Sequence, residues 1–202
     1  MLVRNVKLVF FGDRGVGKSS MLFRMTLEHF TGSIDTNLGS SFLSKSIQLD
    51  GTTYKFQIWD TPGQEGLLTN YSSQMHGASA IVIVYDVTNK NSFANATTSW
   101  WKKVQKHGGA NLVVALVGNK CDLEASRKVK TTDGKSFADS NGAVFVETSA
   151  LTSTNLVFLL QEIAQKLPPT SCEEVEASND SSSKDVSDST SKTSKKSGCN
   201  LS

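Results

Sequence analysis

The sequence predicts an α/β protein built on a doubly wound, mostly parallel sheet, and three observations carry the prediction. A glycine-rich loop, Gly12 to Ser19, joins the apolar run that ends at Phe11 to a helix-like stretch beginning near Lys18. Ala80 to Val87 and Leu112 to Gly118 are continuous aliphatic runs, the pattern of strands buried on both faces of a parallel sheet. Segments of helical period alternate with these runs, which is the order that winds helices over both faces of one sheet.

In chain order, Leu2 to Phe11 reads as the first buried strand. The loop Gly12-Asp-Arg-Gly-Val-Gly-Lys-Ser then has the spacing of a phosphate-binding loop. Glycines let backbone N–H groups turn inward, and the N-terminus of the following helix adds partial positive charge to the same concavity. Polyphosphate fits there, with Lys18 reaching the β and γ phosphates and the Ser19 hydroxyl on Mg²⁺, a hard cation that takes oxygen ligands. The competing explanation, a glycine-rich turn with an incidental lysine, does not account for the strand before it and the helix after it. That helix runs from Lys18 to about Glu28, with Leu22, Met25 and Leu27 inward.

Residues 29–39 lack a period and read as a loop. Phe42 to Leu49 and Thr53 to Asp60 flank Asp50-Gly51, a hairpin signal that makes these two strands antiparallel. The second strand ends at Asp60-Thr-Pro-Gly-Gln, a carboxylate at the strand edge where open α/β sheets collect ligands. Gly66 to Gly77 reads as polar, irregular and mobile. After the Ala80 strand, Phe93, Thr97, Trp100 and Val104 mark an amphipathic crossover helix, in which Trp100 and Trp101 serve core packing. A weaker helix covers Thr131 to Asn141, a strand Ala143 to Glu147, and a strong helix Leu156 to Leu167, which Pro168-Pro169 stops.

The chain divides at that point into a folded domain, residues 1–167, and a tail, residues 168–202. Eleven of the 35 tail residues are serine and none is aromatic, so the tail cannot bury enough surface to offset ordering. Lys192, Lys195 and Lys196 precede Cys199-Asn-Leu-Ser, which fits a prenylation signal on Cys199; the alternative is a free cysteine. One lipid binds membranes marginally, so the lysines supply a second, electrostatic anchor.

With 21 basic and 19 acidic residues, the net charge of +2 calls for neither nucleic acid nor an anionic partner. Three cysteines without a CxxC pair argue against a disulfide scaffold or zinc site, and no leader or membrane span is visible. A cytosolic protein is expected.

The base is read by Asn119-Lys120-Cys121-Asp122, directly after a buried strand. A carboxylate there accepts both N1–H and N2–H₂ of guanine, a pair that adenine cannot offer. Glu147-Thr148-Ser149-Ala150 follows the last strand, where backbone N–H groups can meet the guanine O6.

With these motifs in this order, the chain resembles the Rab branch of the Ras-like small GTPases from Leu2 to Leu167. The residues that carry the likeness are Gly12 to Ser20, Trp59 to Glu65, Asp86-Val-Thr-Asn, Ser92-Phe93, Gly118 to Asp122 and Glu147 to Ala150. Gly39-Ser-Ser-Phe-Leu and the Asp50 to Trp59 stretch look most like the early-endosomal members. The resemblance implies the three-layer P-loop GTPase fold, a mostly parallel six-stranded sheet with one antiparallel edge strand. It also implies a GTP/GDP switch in vesicle trafficking that hydrolyses GTP slowly with Mg²⁺. Nucleotide contacts are expected from Asp13, Arg14, Gly15, Val16, Gly17, Lys18, Ser19, Ser20, Phe30, Asn37, Gly63, Asn119, Lys120, Asp122, Leu123, Ser149, Ala150 and Leu151. Phe30 would meet the base edge-on and Lys120 lie along its face. Asp60 would hold Mg²⁺ through water beside Ser19 and Asn37, Gly63 N–H would touch the γ phosphate, and Gln64 would orient the attacking water. Expected partners are an exchange factor, a GTPase activator and effectors that bind residues 36–75, on the cytosolic face of early endosomes.

Departures from the family pattern bear on switching. Asn37 replaces the Thr that reads Mg²⁺ and γ phosphate, Arg14 occupies a usually small position, and Pro62 replaces Ala. Gly66-Leu-Leu and Gln74-Met75 replace aromatic-bearing stretches, Leu151 replaces a base-covering Lys, and the tail carries one terminal cysteine where most Rabs have two. These changes raise an alternative, a nucleotide-bound scaffold with weak or lost switching. An ATP-using P-loop enzyme is disfavoured by Asn119 to Asp122.

Overall fold

A computed structural model of the chain describes residues 2–27, 42–61, 71–109 and 111–169, and of Leu27 and Phe42 the backbone alone. The expected helix end at Glu28, the loop 29–39 and the tail 170–202 lie outside the described residues. So do Phe30, Asn37, Pro62, Gly63, Gln64, Gly66 to Leu68, Lys192, Lys195, Lys196 and Cys199.

Six strands form one sheet in the order β2-β3-β1-β4-β5-β6, where β1 is Leu2–Phe11, β2 Phe42–Leu49, β3 Thr52–Asp60, β4 Ala80–Asp86, β5 Val113–Asn119 and β6 Val144–Thr148. Every pairing is parallel except β2 with β3, so the antiparallel strand sits at an edge, as expected. The β2–β3 turn works because Asp50 and Gly51 both take positive φ, 49° and 76°, the type I′ geometry that matches the twist of the strands it joins.

Alternation along the strands builds two cores. Val6, Leu8 and Phe10 of β1 face Met21, Leu22 and Met25 of α1 (Lys18–Leu27) and Leu159, Leu160 and Ile163 of α6 (Leu156–Lys166). Val9 and Phe11 face the other way, toward Trp100, Trp101 and Val104 of the crossover and Ala138 of α5 (Thr131–Ser140). Each fully buried aliphatic side chain contributes about 1.5–3 kcal/mol, so both layers stabilise the sheet between them. The aliphatic β4 is buried along its whole length. Leu167 turns extended, with ψ 134°, as a residue before proline must, and α6 ends there.

Two elements depart from the sequence reading. Within the segment read as irregular, Tyr71–Met75 forms one helical turn, α2, because Tyr71 packs edge-on against Phe11 and Trp100 and Met75 is buried. The crossover is not one regular helix. α3 (Lys90–Asn95) passes through a π-helical turn, Ala96–Trp100, into α4 (Trp101–His107). In that turn the Thr97 hydroxyl donates to the carbonyls of Phe93 and Ala94, and Thr98 to that of Ala94. Such back-bonding competes for the carbonyls that an α-helix needs, and the Trp101 N–H reaches back five residues to Ala96.

Candidate nucleotide site

Parallel strands β1, β3, β4, β5 and β6 all end at the same sheet edge, and each delivers one part of the site. After β1, the loop turns on Gly12, Gly15 and Gly17 with φ of 141°, 82° and 98°. A Cβ at Gly12 would lie 2.3 Å from the Val84 carbonyl oxygen, and one at Gly17 would lie 2.3 Å from the Asn119 amide nitrogen. The loop is therefore pressed onto β4 and β5, and its concavity opens at the N-terminus of α1.

Lys18 is buried and curls over the loop, its ammonium donating to the carbonyls of Gly12 at 2.8 Å and Asp13 at 2.9 Å. Burial pulls its pKa below that of an ordinary lysine, against the carboxylates of Asp60 and Asp13, which hold it up. Arg14 and Gly15 are exposed at the mouth, and Val16 is buried beneath. Arg14 has no hydrogen bond or ion pair with another described residue.

From the end of β3, Asp60 Oδ2 accepts the Ser19 hydroxyl at 2.5 Å. Its Oδ1 is buried without a hydrogen-bond partner among the described residues. A hydroxyl and an unsatisfied carboxylate oxygen at one point suit a hard divalent cation such as Mg²⁺. Next to them Thr61 is buried, its hydroxyl donating to the Phe10 carbonyl, which fixes where the chain leaves β3.

The other half of the site is a cavity of about 560 Å³ between α1 and the ends of β5 and β6. It is lined by Gly17, Ser20, Phe23, Arg24, Asn119, Lys120, Asp122, Leu123, Ala150 and Leu151. Asn119 is almost fully buried at the last position of β5. Its amide donates to the Val16 carbonyl at 2.8 Å, and its Oδ1 accepts from Thr148 at 3.2 Å, so this side chain staples loop, β5 and β6 together. Lys120 takes a left-handed φ of 66°, which swings Cys121 to Leu123 around the cavity rim. Its ammonium sits 2.7 Å from Asp86 Oδ2, leaving its stem along the cavity. Burial raises the Asp86 pKa, but hydrogen bonds from Lys120 and Thr88 outweigh it and hold the carboxyl below the usual range.

On β6, Glu147 binds Arg127 through both carboxylate oxygens, at 2.7 and 3.1 Å, and accepts the Thr131 hydroxyl. Arg127 is pushed above its ordinary value, first by that bond. Asn155 closes the same corner by donating to the Glu147 carbonyl. The Ser149 N–H is committed to the Thr154 carbonyl, so Ala150 is left as the amide of this motif that faces the cavity.

Of the sequence-predicted residues, the structure thus brings together Asp13 to Ser20, Asp60, Asn119, Lys120, Asp122, Leu123 and Ser149 to Leu151. Sequence reasoning missed Arg24, whose guanidinium donates to the Leu151 carbonyl at 2.9 Å, and Phe23, which is exposed at the cavity rim. It also missed Asn95, which together with Trp100 holds the Asp13 carboxylate. The paired threonines in mid-helix were the one available signal of the distorted crossover.

Residues 7–168 match the model of the Ras family. The chain is 45% identical to the Ras-related protein Rab-5A of Dictyostelium discoideum, over 81% of each chain. It is 41% identical to mouse Ras-related protein Rab-31 over 84% of this chain and 86% of that one. It is also 41% identical to human Ras-related protein Rab-22A, over 84% and 87%. Ras-family proteins bind GTP and GDP with Mg²⁺ and work through exchange factors, activators and effectors. Among the described residues no helix is long and apolar enough to cross a membrane. A glycine loop pressed against two strand ends, a carboxylate beside the loop serine and a base-sized cavity behind it sit within a sequence so matched: the chain belongs to the Ras family, as a small GTPase of the Rab branch that hydrolyses GTP in endosomal membrane trafficking.

Proposed function

We propose that GTP and GDP occupy the edge described above, with the phosphates in the Gly12 to Ser19 loop and guanine in the cavity closed by Asp122. The observation that carries this is the placement of the base-reading loop and the phosphate loop on one scaffold, joined by Asn119. Asp122 accepts the guanine N1–H and N2–H₂, Ala150 N–H donates to O6, and the Lys120 stem covers one face. Lys18 exchanges its two loop carbonyls for β and γ phosphate oxygens when nucleotide enters. Ser19 and Asp60 would hold Mg²⁺, Asp60 through water, and the ion, when bound, would supply charge neutralisation for phosphoryl transfer. Gln64 orients the attacking water and Gly63 contacts the γ phosphate; Phe30 and Asn37 complete the site. Phosphoryl transfer needs positioning and charge neutralisation more than covalent chemistry, and these groups supply both.

Effectors read residues 36–75, and an exchange factor and an activator set the nucleotide state. A prenyl group on Cys199, with Lys192, Lys195 and Lys196, holds residues 168–202 to the cytosolic face of early endosomes. The test is competition binding of GTP, GDP and ATP to the full chain with and without Mg²⁺. Guanine nucleotides should displace a fluorescent GDP analogue, ATP should not, and Mg²⁺ should tighten GTP. Equal competition by ATP would overturn the base assignment.

A further inference from the structure

Both carboxylate oxygens of Asp13, inside the phosphate loop, are taken by the crossover helix. Trp100 Nε1–H donates to Oδ1 at 2.8 Å, and the Asn95 amide donates to Oδ2 at 2.8 Å. These donors are five residues apart. In an α-helix, at about 100° per residue, they would point about 140° apart and could not reach one carboxylate. The π-helical turn Ala96–Trp100, closed by its i to i+5 bond, stacks them on one side. The distortion of the crossover is thus what makes a two-pronged clamp for Asp13. Trp100 is fully buried, stacked 5.7 Å from Phe11 and edge-on to Tyr71 of α2, so the indole is rigidly held while it donates.

On the nucleotide-site reading given above, we propose that Trp100 and Asn95 are positioning residues for the phosphate loop, which keep the Asp13 carboxylate turned away from Lys18 and the triphosphate. The backbone carbonyl of the same Asp13 is one of the two oxygens that hold the Lys18 ammonium, so this residue presents its carbonyl to the lysine and its carboxylate to the helix. Freed from the clamp, the carboxylate is the nearest anion in the loop to that ammonium. It would compete with phosphate for Lys18 and repel the γ phosphate, which carries more charge near the loop than GDP does. Loss of the clamp therefore weakens GTP more than GDP.

The experiment is a double-mutant cycle on the full chain, reading the affinities of fluorescent GTP and GDP analogues. Trp100→Phe keeps an aromatic ring against Phe11 and Tyr71 but removes the indole donor, and Asn95→Ala removes the other prong. Each should weaken the GTP analogue about tenfold, the scale of one hydrogen bond to a charged group, and the GDP analogue less. In an Asp13→Asn background, where no carboxylate needs holding, each should change GTP affinity less than about twofold. A merely structural tryptophan would cost the same in both backgrounds, and that result, or no loss in either, overturns the proposal. If Trp100→Phe fails to fold, the half-buried Asn95 decides alone: Asn95→Asp, which sets carboxylate against carboxylate, should be worse than Asn95→Ala and be rescued by Asp13→Asn. Absence of that rescue overturns it. Failure of the parent to bind either analogue would instead refute the nucleotide-site reading itself.

Discussion

The Asn119 side-chain amide donates to the Val16 carbonyl at 2.8 Å, and this one bond joins the end of β5, just before Lys120 to Asp122, to the Gly12 to Ser19 loop. Asn119→Ala leaves both the Val16 carbonyl and the Thr148 hydroxyl short of a buried partner. A loss of about 2 kcal/mol of stability without nucleotide is expected in urea unfolding. Dissociation of GTP and GDP should speed up by similar factors, because the staple sits between both halves of the site. Faster loss of GTP alone would mean that Asn119 acts through the surroundings of the γ phosphate rather than through the scaffold.

Asp86 ties Lys120 to β4, and its carboxyl is held below the usual carboxylate range in the folded state. A depressed folded pKa contributes stability that is complete above the ordinary aspartate value, about 4, and is lost as pH falls through the lower folded value. Asp86→Asn should therefore be less stable than the parent at pH 7, and the difference in melting temperature should shrink as pH drops below about 4. A gap that stays constant from pH 7 to pH 3 would show that the ion pair contributes nothing.

Arg14 is exposed at the mouth of the phosphate loop and has no hydrogen-bond or ion-pair partner among the described residues. On the proposed function, a long cation there would obstruct Gln64 or an arginine finger brought by an activator. Arg14→Ser should accelerate activator-stimulated single-turnover hydrolysis. A fall of about tenfold in the basal rate, worth about 1.4 kcal/mol of barrier, would show instead that Arg14 acts as a built-in finger.

Much of this site was legible because its signals are local. The glycines of the phosphate loop, the Asp50-Gly51 turn and the aliphatic runs of β4 and β5 each fix their own backbone, and parallel strands then bring their ends to one edge. The remainder depends on contacts between distant segments. Nothing in Tyr71-Ser-Ser-Gln-Met announces a helix; Phe11 and Trp100 make it one. Trp100 was expected in the core and is there, but its indole N–H also serves Asp13, and no spacing rule sees a bond made across a π-helical turn. Asn119 was expected at the nucleotide; that its amide also donates to Val16 while its Oδ1 accepts from Thr148, a staple between loop and strands, is a contact no local spacing announces.

Membrane attachment should depend on Cys199. Cys199→Ser is expected to bind nucleotide like the parent and to move from the membrane to the soluble fraction of lysed cells. Replacing Lys192, Lys195 and Lys196 with Gln should loosen attachment, with a larger effect at low ionic strength than at high. Undiminished membrane association of the Ser variant would refute the lipid assignment.

The central claim is that Asp122 selects guanine at this sheet edge, and Asp122→Asn tests it most directly. The amide replaces one acceptor with a donor, which suits the carbonyl that xanthine carries where guanine has its amino group. In competition against a fluorescent guanine nucleotide, the variant should lose GTP and GDP affinity by at least about tenfold, the scale of one charge-assisted hydrogen bond, and gain affinity for xanthine nucleotides. Unchanged preference for guanine over xanthine in the folded variant would contradict the account.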